Sequence, residues 1–205
     1  MEMTKNALAI ILSGLELFTD PDVSLEQYAT PGDIAAELLM AGQEFITGKD
    51  VLDLGCGTGV LSIGAEILGA RHVLCVDSDP EALQICRRNH QSLAQRLELD
   101  EMDIRRQDIT SAAFGPHDTV VMNPPFGTKR RSADKQFLQT AMCADAILSM
   151  HKTATMPHIR SWMGKHGYTT LWQKDVRFPI KASMKHHRKP KKDAAVSLCI
   201  FKKSI

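Results

Sequence analysis

The sequence predicts an α/β domain built on a mostly parallel, seven-stranded sheet flanked by helices. Three observations predict it. Short β-branched runs alternate with longer helical stretches between residues 49 and 121, the pattern of consecutive βαβ units. A glycine-rich turn joins the first run to the first of these helices, and an Asn-Pro-Pro turn ends the fourth run. The chain has 205 residues, 43% hydrophobic and 24% charged, which suits one soluble domain with a substantial core.

Taken in order, residues 8–18 place Leu and Ile at helical spacing and read as an amphipathic helix, so that 1–46 forms an N-terminal helical segment packed on the core. Residues 51–54 are the first strand, 60–68 a helix and 72–76 the second strand. The helix over 80–93 opens with Asp79 as its cap and Pro80 in its first turn. The third strand, 104–107, is charged, which suits a sheet edge. The fourth, 118–122, stops at Pro124-Pro125, and a helix resumes over 137–144. Residues 146–150 are the fifth strand, 158–166 a helix closed by Gly167, and 168–176 and 195–201 the last two strands. No internal repeat or change of composition divides the chain, so residues 1–205 read as a single domain.

Composition narrows the function classes. No apolar run approaches the roughly 20 residues that cross a bilayer, so neither a membrane span nor a signal peptide is expected. The five cysteines lack the spacing of a zinc knuckle, and their odd number points to a reducing compartment, cytoplasmic or nuclear. No His-Glu-x-x-His pattern occurs, and no metal centre is expected. Net charge is +1, yet residues 177–192 carry Arg177, Lys181, Lys185, Arg188, Lys189, Lys191 and Lys192 without one acid. Such a run is either a solvated loop or a nucleic-acid contact.

Chemistry concentrates at the strand ends. In Asp53-Leu54-Gly55-Cys56-Gly57-Thr58-Gly59 the glycines permit a tight turn and let a ligand approach the backbone. A dinucleotide fingerprint starting at Gly55 would need glycine at position 60, where Val60 stands. Asp77 ends the second strand and can accept bonds from both hydroxyls of a ribose. After the fourth strand, Asn123-Pro124-Pro125-Phe126 fixes the backbone so that the Asn123 amide oxygen and the Pro124 carbonyl aim at one place. Two such acceptors suit a planar NH2 group: bonding both protons reduces delocalisation into the ring and leaves the nitrogen lone pair free to attack. Phe126 offers a face on which an unstacked base can lie, worth roughly 1–3 kcal/mol.

These residues carry a family resemblance. The Asp-x-Gly-x-Gly-x-Gly loop resembles motif I of Rossmann-like class I methyltransferases, and the Asn-Pro-Pro-Phe quartet resembles motif IV of the amino-methyltransferases. With Leu25-Glu26-Gln27-Tyr28-Ala29-Thr30-Pro31, Gly59-Val60-Leu61-Ser62-Ile63-Gly64, the quartet running on through Gly127-Thr128-Lys129, and Ser149-Met150-His151-Lys152, the chain resembles the enzymes that form N6-methyladenosine in small-subunit ribosomal RNA. The resemblance implies S-adenosylmethionine as cofactor, with Gln27, Tyr28 and Thr30 closing over it. Asp53, Gly55, Gly57, Thr58, Val60, Asp77, Asp108 and Asn123 would line its site, Asp108 accepting from the cofactor's adenine amine. It also implies that Asn123, Pro124, Pro125 and Phe126 hold the target adenine, and that Lys129, Lys185, His186, Arg188, Lys189, Lys191 and Lys192 contact RNA. Eukaryotic members work with a small zinc-binding activator protein that pairs along a sheet edge. Thr58 stands where animal members often have Cys, and Met184 where an aromatic residue is expected.

The alternatives are a protein glutamine-amide methyltransferase, a DNA adenine methyltransferase and a non-catalytic RNA-binding assembly factor. Phe126 in place of Tyr and the basic run favour nucleic acid; the absence of a separate target-recognition segment favours RNA over DNA. Asp53, Asp77 and Asn123 together favour turnover.

Overall fold

The computed structural model describes residues 3–18, 27–109, 113–126, 133–180 and 192–204. Helices α1 (Lys5–Ser13) and α2 (Gly32–Ala41) precede β1 (Asp50–Leu54), α3 (Val60–Ile67), β2 (His72–Asp77), α4 (Pro80–Leu97), β3 (Asp103–Arg106) and β4 (His117–Met122). Helix α5 (Ala133–Ala141), β5 (Ala144–Lys152), α6 (Met156–Lys165), β6 (Tyr168–Ile180) and β7 (Lys192–Lys203) follow. The strands form one seven-stranded sheet in the order β3-β2-β1-β4-β5-β7-β6. The first five pair in parallel, and β7 runs antiparallel to both β5 and β6. The expected sheet is therefore present, with the charged β3 at one edge.

Alternation along the central strands sends side chains to two separate cores. Val51, Val73, Cys75 and Val121 point towards α1 to α4, whereas Leu52, Leu54, Leu74 and Val120 point towards α5 and α6. A fully buried Leu or Val side chain contributes about 1.5–3 kcal/mol, so burial on both faces holds the sheet between helical layers. The strand order reverses between β1 and β4, which opens a crevice at their carboxyl ends. Among the described residues no helix is long and apolar enough to cross a membrane.

The N-terminal helix is shorter and earlier than its apolar pattern predicts. Thr4 caps it by accepting from the Ala7 amide, and Gly14 ends it, so Leu15 enters the core from an irregular segment. The start of α2 abuts the end of α1 so closely that a Cβ on Gly32 would lie 2.5 Å from the Ser13 backbone nitrogen. Gly32→Ala should thus destabilise the protein by about 1–3 kcal/mol through overpacking. Helix propensity alone would give the opposite sign, so the urea midpoint distinguishes the two.

Candidate active site

The crevice is floored by the loop between β1 and α3. Gly55, Gly57 and Gly59 have φ of +71°, +54° and +87°, left-handed values that side chains avoid. The amides of Gly55 and Cys56 both donate to the Val76 carbonyl, and that of Gly57 donates to Asp77 Oδ2 at 2.9 Å. The loop is thereby laid across the end of β2, with Gly55 and Gly57 lining the cleft, whereas a Cβ on Gly59 would meet Cys86 on α4. Asn89 on α4 fastens it from behind: its Nδ2 reaches the Thr58 carbonyl at 2.9 Å, while its Oδ1 accepts from the Glu16 amide at 2.7 Å.

Two acids sit in this floor. Asp53 is 1% exposed; Ser62 donates to its Oδ2, whereas Oδ1 has no hydrogen-bond partner among the described residues. Burial pushes its carboxyl up to about 7, against the Ser62 bond. Burial also raises Asp77, offset in part by the amides of Asp79 and Gly57 that bond its carboxylate. Both are desolvated acceptors that gain from a cation or a hydroxyl. Behind the loop Cys56, Cys75 and Cys86 gather with their sulfurs within 4.8 Å of one another; the two neighbouring thiols hold Cys86 below its usual range, while Cys56, through its thiol neighbours, and Cys75, through burial, are pushed up.

A strap of residues 27–30 crosses above. Gln27 Nε2 donates to Asp79 Oδ2 at 2.6 Å, and Asn123 Nδ2 donates to Thr30 Oγ1 at 3.0 Å. Asp79 meanwhile caps α4 by accepting from the Glu81 amide. Asn123 follows the last residue of β4, and its Oδ1 is buried with no partner among the described residues. The bond to Thr30 fixes the amide so that this oxygen is the remaining acceptor.

Of the residues singled out in the sequence, Gln27, Tyr28, Thr30, Asp53, Gly55, Gly57, Thr58, Val60, Asp77, Asp108, Asn123 and Pro125 line one cleft. Phe126 does not line it: the ring is 9% exposed and packs edge-on against Phe178, with centroids 5.8 Å apart. Pro124 is also buried and does not line the cleft. The aromatic walls come instead from Phe18 and Phe137, which the sequence reading missed. Their rings lie within 3.3 Å and 2.9 Å of where Cβ atoms on Gly57 and Gly55 would stand. Lys129, Lys185, His186, Arg188, Lys189 and Lys191 lie outside the described residues, and Lys192 is placed by its backbone pairing to Ile180.

The model of the methyltransferase small domain matches residues 28–155, which hold the loop, both acids and the Asn-Pro-Pro corner. The chain belongs to the methyltransferase small domain family. This methyltransferase is similar over nearly its whole length to the rRNA N(6)-adenosine-methyltransferase of Danio rerio, at 38% identity over 97% of this chain and 99% of the relative. The corresponding enzyme of Drosophila melanogaster is 36% identical over 93% and 92%. Among solved structures, a candidate RNA methyltransferase from Pyrococcus horikoshii superposes with a TM-score of 0.85 at 36% identity, covering 100% of this chain and 98% of that one.

Proposed function

We propose that this methyltransferase transfers the methyl group of S-adenosylmethionine to the exocyclic amine of an adenosine in ribosomal RNA, acting as one domain over residues 1–205. The observation that carries the reading is the Asn123 Oδ1: a buried acceptor without a partner among the described residues, held in orientation by Thr30, at the end of the strand beside the cofactor loop. The substrate class follows that of the relatives, which are rRNA N(6)-adenosine methyltransferases.

The donor site fits the cofactor on its own terms. When bound, S-adenosylmethionine supplies an electrophilic methyl group on a cationic sulfur. The unpartnered Asp53 Oδ1 and the desolvated Asp77 suit a positively charged amino-acid end and a ribose diol respectively. Gly55 and Gly57, both left-handed and lining the cleft, let the backbone approach without a Cβ between, and Phe18 and Phe137 close the sides. On the acceptor side, Asn123 Oδ1 and the Pro124 carbonyl take the two amine protons, so charge developing on nitrogen meets neutral dipoles already in place. Catalysis is positioning plus this stabilisation, with no covalent enzyme intermediate. Phe126 supports the corner from below through Phe178, and Pro125 faces the base.

Incubating the purified chain with labelled S-adenosylmethionine and separate samples of ribosomal RNA, DNA and protein tests the reading. N6-methyladenosine in the RNA digest is the expected product; label confined to protein or DNA would overturn it. The basic run supplies the RNA contacts in this reading. Neutralising Lys185, Arg188 and Lys189 together should weaken RNA binding and lower the slope of log affinity against log salt by about 2–3. An unchanged slope removes the run from the RNA path. A zinc-binding activator, where one is used, would pair along β3, one of the two edge strands of the sheet.

A further inference from the structure

The cysteines, too widely spaced in sequence for a zinc knuckle, converge in space. Cys56 comes from the glycine loop, Cys75 from β2 and Cys86 from α4, and their sulfurs lie within 4.8 Å of one another. All three are free thiols, exposed by only 7%, 0% and 0%. The triangle sits between the sheet and α4, under the loop: a Cβ on Gly59 would come within 2.6 Å of Cys86 Sγ. No part of the methyl-transfer reading uses these thiols.

We propose that Cys56, Cys75 and Cys86 form a three-coordinate binding site for a soft monovalent ion, Cu(I). The donor set is sulfur alone, which selects soft metals over those that take carboxylate or water. Zinc in a closed site takes four ligands, and the described residues bring three His, Cys, Asp or Glu donors together here. Metal–sulfur bonds of about 2.3 Å in a trigonal plane set the sulfurs about 4 Å apart, so the triangle needs to tighten by less than about 1 Å. A disulfide would require two sulfurs to close to about 2.05 Å.

Cys56 also belongs to the loop that lines the cleft and is the most exposed of the three. Each Cu–S bond to a thiolate replaces an S–H bond, the proton leaving to solvent; no electron moves, and copper stays monovalent. A bound ion would tie the loop, β2 and α4 through one point and stiffen the wall that faces the cofactor.

The test is an anaerobic titration of the reduced full-length protein with Cu(I) in competition with bicinchoninate. One equivalent should be withdrawn from the chelator, and X-ray absorption should show three sulfur neighbours and no nitrogen or oxygen. Cys75→Ser and Cys86→Ser should each weaken binding by at least about 100-fold, since even partners outside the coordination sphere cost 10–100-fold; Cys143→Ser should leave it unchanged. Absence of copper transfer, equal uptake by Cys75→Ser, or a shell containing fewer than three sulfurs would overturn the assignment. Where a serine variant fails to fold, the absorption spectrum of the unaltered protein decides alone.

Discussion

Asn123→Ala is expected to slow methyl transfer by about 10²–10³-fold, the loss typical when one preorganised partner of a developing charge is removed. The change deletes the buried Oδ1 acceptor proposed to take an amine proton, together with the side chain's anchor to Thr30. Cofactor affinity should stay within a few fold, because Asp53, Asp77 and the glycine loop are untouched and the strap keeps its Gln27 bond to Asp79. Single-turnover rates beside equilibrium titration of S-adenosylhomocysteine separate the two quantities. A variant that transfers methyl groups normally, or one that loses the cofactor instead, would show that Asn123 has another role.

Asp53 should make both donor affinity and stability depend on pH. Its carboxyl titrates at about 7 in the fold against 3.8 as the reference value. The folded state therefore holds a proton that the unfolded chain releases, and the contribution of this group to stability is greatest below about pH 4. It declines as pH rises and is lost once pH passes about 7. At 1.36 kcal/mol per unit the whole window amounts to at most about 4 kcal/mol. Asp77 is shifted in the same direction, so comparison with Asp53→Asn isolates the larger part. Urea unfolding at about pH 5 and pH 8 should show the unaltered protein losing roughly 3 kcal/mol more than the variant across that interval. A cation beside Asp53 favours the ionised form, so donor affinity should fall by up to about tenfold per unit below pH 7 and level off above it. Affinity that stays flat from about pH 5.5 to 8, or a variant with the same stability profile, would remove Asp53 from this role.

The parts of the site readable in the sequence are those that follow directly on a strand. Asp53, Asp77 and Asn123 stand at or next to the ends of β1, β2 and β4, where a parallel sheet must present them to its crevice. Phe18, Phe137 and Asn89 escaped because each arrives from a distant element, and only the approach of that element gives it a neighbour. Phe126 went the other way: the motif suggests an exposed ring, but Phe178 on β6 offers it a buried edge-on partner. Fold boundaries failed for similar reasons. Strands β6 and β7 run past the expected 176 and begin before 195, because main-chain pairing continues through Pro179 and Asp193, whose side chains carry no hydrophobic alternation. In α5 the apolar pattern ran on to 144, whereas Ala144 already belongs to β5. The three-thiol cluster was invisible to spacing rules, since its members are 19 and 11 residues apart along three different elements.

The strap over the cleft bears on the order of events in each turnover. It is fastened at one side to Asp79 and at the other to Asn123, the residue proposed to receive the acceptor base. On the proposed reading a donor seated in the cleft lies under both bonds, so release of spent donor should require one of them to open. Kinetics should accordingly be sequential, with S-adenosylhomocysteine departing last.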